Sequence, residues 1–169
     1  FSIGCGFIKT QQAFLNENIK ECSTKDTYPF QFDSANSMLV MAKKNALSIA
    51  QMKLENERVI LSENDIMTQL DNVWHAMLAT IKAGLGQEGV LPGGLNVPRR
   101  AKHLFEQLNS KPEEATLNDW LCAYAMAVNE ENAAGHSVVT APTNGAAGVL
   151  PAVLYYFIKH DGGRLALIH

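Results

Sequence analysis

Residues 62–86 read SENDIMTQLDNVWHAMLATIKAGLG. Ile66, Leu70, Val73, Met77, Ile81 and Gly84 recur at spacings of three and four, which predicts one amphipathic helix of roughly six turns. Ser62-Glu-Asn-Asp65 is a capping-box-like start, with Asp in place of the usual Glu or Gln, and Gly86 suits the position just past the end. A helix with one apolar stripe must bury it against other helices, so the neighbouring sequence is read for partners.

Upstream, Asp33 or Ser34 can cap a helix carrying Ala35, Met38, Leu39 and Ala42 on one face, and a second helix follows over about Ser48 to Arg58. Downstream, Glu88 to Val97 is a loop punctuated by glycine and proline. Pro98 then fits the first turn of a helix running to about Asn109. Thr116-Leu-Asn-Asp119 caps a further helix through about Ala134, closed by Gly135. Val149 to Ile158 is apolar all round and is expected to be the buried centre of the bundle. Phe1 to Lys9 reads as a short strand and Thr10 to Phe32 as a polar linker. Apart from Ser137 to Thr140, no other strand signal is found. The expectation is a mainly α protein, a helical bundle around a buried apolar helix with one short N-terminal strand. It divides into residues 1–32, strand and linker, and 33–169, helical.

Composition narrows the function. The 169 residues carry 14 Lys+Arg against 17 Asp+Glu, a net charge of −3, and no run of Lys/Arg exceeds two, so there is no electrostatic footprint for nucleic acid. The longest apolar run, Gly145 to Ile158, contains Pro151 and is too short to span a bilayer. Three separated cysteines, without CxxC, suggest neither a disulfide framework nor a self-contained metal site. A soluble, cytoplasmic protein is expected. The chain opens without an initiator Met and closes within apolar sequence, so it reads as a piece of a larger protein.

The five histidines lack a spacing that pairs two on a helical face, and the methionines at helical positions read as core filler. Two stretches carry potential chemistry. EGVLPGGLNVPRR (88–100) is either a helix connection with a surface arginine pair or a loop around a site, in which an arginine grips a carboxylate. In the second, residues 129–151, a polar helix end leads through Thr140-Ala-Pro-Thr-Asn-Gly145 into an apolar helix. Either glycines and small residues there permit close packing, or backbone N–H groups at the helix start bind a carboxylate or phosphate, helped by Thr140, Thr143 and Asn144.

These residues carry a resemblance. NEENAAGHSVVTAPTNGAAGVLPAVLYYF (129–157) resembles the signature of the bacterial iron–sulfur-dependent L-serine dehydratases (L-serine deaminases), and EGVLPGGLNVPRRA (88–101) resembles a second block of that family. FSIGCGFI at the N-terminus is similar to the last strand of the family's N-terminal α/β domain, where Gly usually stands in place of Cys5. The resemblance covers essentially the whole chain in the family's order. It implies that residues 1–32 finish a preceding α/β domain and that 33–169 form the first part of an all-α catalytic domain, truncated at its C-terminus. It also implies an enzyme that converts L-serine to pyruvate and ammonia without pyridoxal phosphate, as a homo-oligomer, a dimer. A [4Fe–4S] cluster would act on the serine hydroxyl as a Lewis acid.

Such a cluster needs three protein thiolates. Cys5, Cys22 and Cys122 are not in cluster-like contexts, and some members carry Cys where this chain has Ala147. The cluster ligands are therefore expected beyond residue 169, with no metal ligand in this chain and no cluster or activity in residues 1–169 alone. Carried over by position, Thr140, Pro142, Thr143, Asn144 and Gly145 are the expected substrate-binding residues. Arg99, Arg100, Glu130 and Asn132 are expected to support them, and the catalytic base is unassigned. The alternatives are a pyridoxal-phosphate-type amino-acid dehydratase, with the Thr-Asn-Gly loop as phosphate cup, and a non-enzymatic helical interaction module.

Overall fold

The computed structural model describes residues 28–140 and 143–160, and the backbone of two short strands, β1 (Ser2–Ile3) and β2 (Phe7–Ile8). The strands pair antiparallel, Ser2 opposite Ile8 and Ile3 opposite Phe7. In place of the single strand expected over residues 1–9 there are these two short strands, and the rest of that stretch lies outside the described residues. Most of the linker expected over 10–32, through residue 27, lies outside the described residues.

Among the described residues there are six α-helices: α1 (Ala35–Lys44), α2 (Ile49–Glu57), α3 (Glu63–Gly86), α4 (Ala101–Ser110), α5 (Leu117–Ala133) and α6 (Val149–His160). The chain separates into two compact units, Thr10–Leu70 and Phe1–Lys9 with Asp71–His169, the division falling within α3. Among the described residues no helix is long and apolar enough to cross a membrane.

Within the first unit, Ser34 caps α1 and Ser48 caps α2, each in a reciprocal box with the residue three positions on, Ser37 or Gln51. Ala42 and Met52 are buried, whereas Leu39, expected on the inward face of α1, is exposed. Asn56 is buried because its side chain bonds the backbone of Phe30 at both ends, accepting from its N–H at 3.0 Å and donating to its C=O at 2.8 Å.

In the second unit α5 is the central helix. Trp120, Ala123, Tyr124, Ala127 and Val128 are buried along it, and α4 and α6 both pack against it. Ala127 also lies under Gly84 of α3, where a Cβ would collide with the Ala127 carbonyl. At Gly148 a Cβ would sit 2.6 Å from the Ala125 carbonyl oxygen. Small residues thus set the crossing distances on two sides of α5.

This overturns the expectation that Val149 to Ile158 is the buried centre. Ala147, Pro151 and Ala152 face α5 and are buried, but Val149, Leu150, Val153 and Phe157 are between 38% and 62% exposed. An apolar circumference does not say which element the fold surrounds; the alanine stripe of α5, which lets three helices approach, decides it. The stripe expected on α3 also shifts: Leu70 and Val73 are exposed, while Trp74, Met77, Ile81 and Leu85 are buried.

Pro98 does not begin a helix. It forms a bridge with Val90, flanked by hydrogen bonds from Leu91 N–H to Val97 C=O and from Arg99 N–H to Gly89 C=O, both 2.8 Å. Proline fits the bridge because its neighbours supply the donors. Residues 89–99 are therefore a hairpin-like loop, with Gly89, Gly93 and Asn96 at positive φ, and α4 begins only at Ala101.

Candidate active site at the end of helix α5

Glycine ends α5 in a Schellman turn. Gly135 takes φ 81° and donates to Asn132 C=O at 3.1 Å, while His136 N–H donates to Glu131 C=O at 3.0 Å. The turn folds His136 back over the helix end. The last turn of α5 then sends three successive side chains, Glu130, Glu131 and Asn132, to three different partners.

Glu130 points inward and caps another helix. Arg100 is the N-cap residue of α4 but makes no side-chain capping bond. The Glu130 carboxylate takes that role, accepting Arg100 N–H at 2.6 Å and Ala101 N–H at 3.2 Å. A negative charge at the positive end of a helix is favourable, and the otherwise orphaned donor of buried Ala101 is satisfied. Glu130, one of the expected supporting residues, fixes the entry of α4 through these contacts.

Glu131 is bound on both oxygens. Arg99 Nη1 lies 2.6 Å from Oε1 with both side chains more than nine-tenths buried, and His136 Nδ1 lies 2.6 Å from Oε2. Burial pushes the carboxyl's pKa up, but the hydrogen bonds from His136 and Arg99, with their charges, outweigh it and hold it below the usual range. Arg99 is therefore committed to Glu131, while Arg100 keeps an exposed side chain. Arg100 lines a shallow cleft of about 350 Å³ with Cys122, Asn129 and Glu130 among its walls.

Asn132 ties the helix end to the second family-like segment. Asn144 Nδ2 donates to Asn132 Oδ1 at 3.1 Å, and Asn132 Nδ2 reaches Asn144 C=O at 3.4 Å. Thr140, Thr143, Asn144 and Gly145 are exposed; Pro142 lies outside the described residues. The loop does not open directly into the α-helix. Asn144–Ala146 form one turn of 3₁₀ helix, Thr143 makes no side-chain capping bond, and α6 starts at Val149. The helix dipole anticipated at Asn144 thus begins five residues later, and what Thr143 and Asn144 offer is side-chain chemistry.

The structure therefore brings Asn132 and Asn144 together, and Arg99 together with Glu131, but gives Glu130 a capping task. Sequence reasoning missed Glu131 and His136. A signal for them existed: with Gly135 just past the helix end, a Schellman turn returns the next residue over the one five positions earlier.

Among the described residues, no group of three His, Cys, Asp or Glu is arranged to hold a metal ion, and Cys122 is exposed on α5. These residues do not fit an iron–sulfur cluster. The larger cleft, about 650 Å³, lies in the first unit between Tyr28, Phe30 and Phe32 and the α2 residues Lys53, Asn56 and Glu57. It shares no residue with either family-like block.

Residues 44–165 match the family model of the serine dehydratase alpha chain. The chain belongs to that family. The segment matched includes both the 88–101 loop and the end of α5 with its following turn. Among curated relatives, the L-serine dehydratase of Streptomyces coelicolor is 44% identical over 164 residues, 96% of this chain and 36% of that protein. L-serine dehydratase TdcG of Escherichia coli is 44% identical over 163 residues, 94% of this chain and 35% of its own length. The Helicobacter pylori L-serine dehydratase is 34% identical over 165 residues, 95% of this chain and 35% of that protein. The chain thus spans about a third of the length of the curated relatives it matches.

Proposed function

We propose that this chain is part of an enzyme that deaminates L-serine to pyruvate and ammonia by β-elimination of water. The observation that carries the reading is the Asn132–Asn144 pair, which fixes an exposed Thr-Asn-Gly turn to the end of the central helix within a segment matched by the serine dehydratase family. With Asn144 Nδ2 engaged, its Oδ1 remains an acceptor suited to the substrate ammonium. The Thr143 hydroxyl and the adjoining exposed Gly145 backbone suit the carboxylate. Thr140 and Pro142 complete the same loop, and Arg100 supports from the neighbouring cleft.

On this reading the intact enzyme is a cytoplasmic homodimer using a [4Fe–4S] cluster as Lewis acid. The described residues do not fit that cluster, and no step here is routed through it. The residues of this chain bind and orient serine.

The test is kinetic and uses the whole enzyme, prepared anaerobically and assayed for pyruvate from L-serine. Asn144→Ala and Thr143→Val are each expected to lower turnover about tenfold or more, as loss of a positioned polar contact does, with unfolding behaviour unchanged. Near-normal rates in both variants sink the assignment.

A further inference from the structure

We propose that the cleft at the start of α4 binds a zwitterionic α-amino acid with an apolar side chain, Arg100 taking its carboxylate and Glu130 its ammonium. The inference goes beyond the deaminase reading, which places Arg100 in this cleft but gives its guanidinium no ligand. Thr140, Thr143, Asn144 and Gly145 are not among the residues lining the cleft.

Its two charged groups are opposite in sign and incompletely engaged. Arg99 and Arg100 are adjacent, yet the Arg99 guanidinium is buried against Glu131, whereas Arg100 is exposed. Among the described residues the Arg100 guanidinium has no hydrogen bond or ion pair; only its backbone N–H is engaged. Glu130 is 5% exposed and lines the same cleft. Its Oε1 accepts Arg100 N–H at 2.6 Å and Ala101 N–H at 3.2 Å, while Oε2 has only the far limb of that same Ala101 hydrogen, at 3.4 Å. An ionised carboxylate offers about four acceptor positions over its two oxygens, and here two N–H groups serve mainly one of them. A buried carboxylate oxygen with one long, shared contact is an acceptor that a ligand ammonium can fill.

The pair of charges selects the ligand. A simple carboxylic acid would meet Arg100 but lie beside the Glu130 carboxylate, and a simple amine would meet Glu130 but lie beside Arg100. A zwitterion satisfies both at once, and like-charge repulsion disfavours the two halves. The planar guanidinium suits a bidentate carboxylate, and the exposed carboxamide of Asn129 adds a donor. The other walls are apolar: Leu91, Val97 and Pro98 from the hairpin-like loop, Ala125 and Met126 from α5. The loop wall is held in place by the Val90–Pro98 bridge and its two flanking 2.8 Å hydrogen bonds. Apolar walls around a few convergent polar groups, enclosing about 350 Å³, suit a whole small molecule. A hydroxymethyl side chain gains little from such walls, so the cleft favours an apolar amino acid over serine.

The experiment is equilibrium dialysis of the full-length protein against labelled L-leucine. Saturable binding at one site per chain is expected. Arg100→Gln and Glu130→Gln should each weaken it about tenfold or more, as loss of a charge-assisted contact does. 4-Methylpentanoate and 3-methylbutylamine, which each keep one of leucine's two charges, should bind at least about tenfold more weakly than leucine. Asn144→Ala should leave leucine binding unchanged. No saturable binding by the parent overturns the proposal, as does an Arg100→Gln affinity equal to the parent's or equal binding of leucine and either half. If Glu130→Gln does not fold, Arg100→Gln decides, since that side chain is exposed. A loss in Asn144→Ala with none in Arg100→Gln places leucine in the substrate turn and overturns the site. Leucine binding that depends on Arg100, in a protein inactive on L-serine, supports this site while overturning the reaction proposed above.

Discussion

Replacing Glu130 with alanine should loosen the start of α4 while leaving α5 folded. Its carboxylate accepts Arg100 N–H at 2.6 Å and Ala101 N–H at 3.2 Å, and Ala101 is fully buried. Hydrogen bonds to a charged group contribute about 1.5–3 kcal/mol each. Arg100 is exposed, so water can replace much of its bond; Ala101 has no such recourse and its orphaned donor costs about 1–3 kcal/mol. Loss of the charge at the helix start adds about 0.5–1 kcal/mol. The sum for Glu130→Ala is about 3 kcal/mol, roughly a hundredfold in a local opening equilibrium, given 1.4 kcal/mol per decade. Glu130→Gln keeps the oxygen that serves both donors and loses only the charge, so it should cost about 1 kcal/mol, roughly fivefold. Hydrogen-exchange mass spectrometry of the full-length protein reads this directly, in the peptide covering Arg99–Ser110 against one from α5. Exchange in that peptide within about twofold of the parent for Glu130→Ala, or equal effects of the two variants, refutes the capping role.

Two further outcomes follow from packing and charge. Gly84→Ala forces a Cβ onto the Ala127 carbonyl and should destabilise by about 2–3 kcal/mol, read as a lower melting temperature. Gly86→Ala, two residues on with open space around it, should be neutral or slightly stabilising. Glu131 has its pKa lowered in the folded chain, so its contribution is present at neutral pH and is lost as pH falls through its folded value. Acid unfolding monitored by circular dichroism should therefore show less stability lost on acidification in Glu131→Gln than in the parent. An identical pH dependence in both proteins contradicts the ion-pair account.

Much of the helical structure was legible because its signals are local. Ser34, Ser48 and Thr116 cap their helices through their own side chains, and Gly135 closes α5 as the glycine position predicts. Arg100 shows where local reading fails: α4 has its cap supplied by Glu130, thirty positions later in the chain, and begins at Ala101, whereas Pro98 lies in the bridge with Val90. The Thr143–Gly145 turn was singled out from sequence, but its tie to Asn132 and the intervening 3₁₀ turn were not. Glu131 and His136 went unread because a glutamate in a polar helix end is ordinarily solvated; only Arg99, arriving from the 89–99 loop, makes its carboxylate a buried anchor.

By itself, then, the sequence determined that this protein is helical, where most helices begin and end, and which two segments carry its family character. Those features rest on spacing and on side chains bonding their own backbone within a turn. The tertiary structure decided that α5, not the uniformly apolar α6, is the centre of the second unit. Centrality depends on how closely neighbours can approach, and Gly84, Ala127 and Gly148 allow that approach where bulkier side chains would not. It also decided which polar groups meet: consecutive residues of a helix point about 100° apart, so Glu130, Glu131 and Asn132 reach partners that only the folded chain brings near.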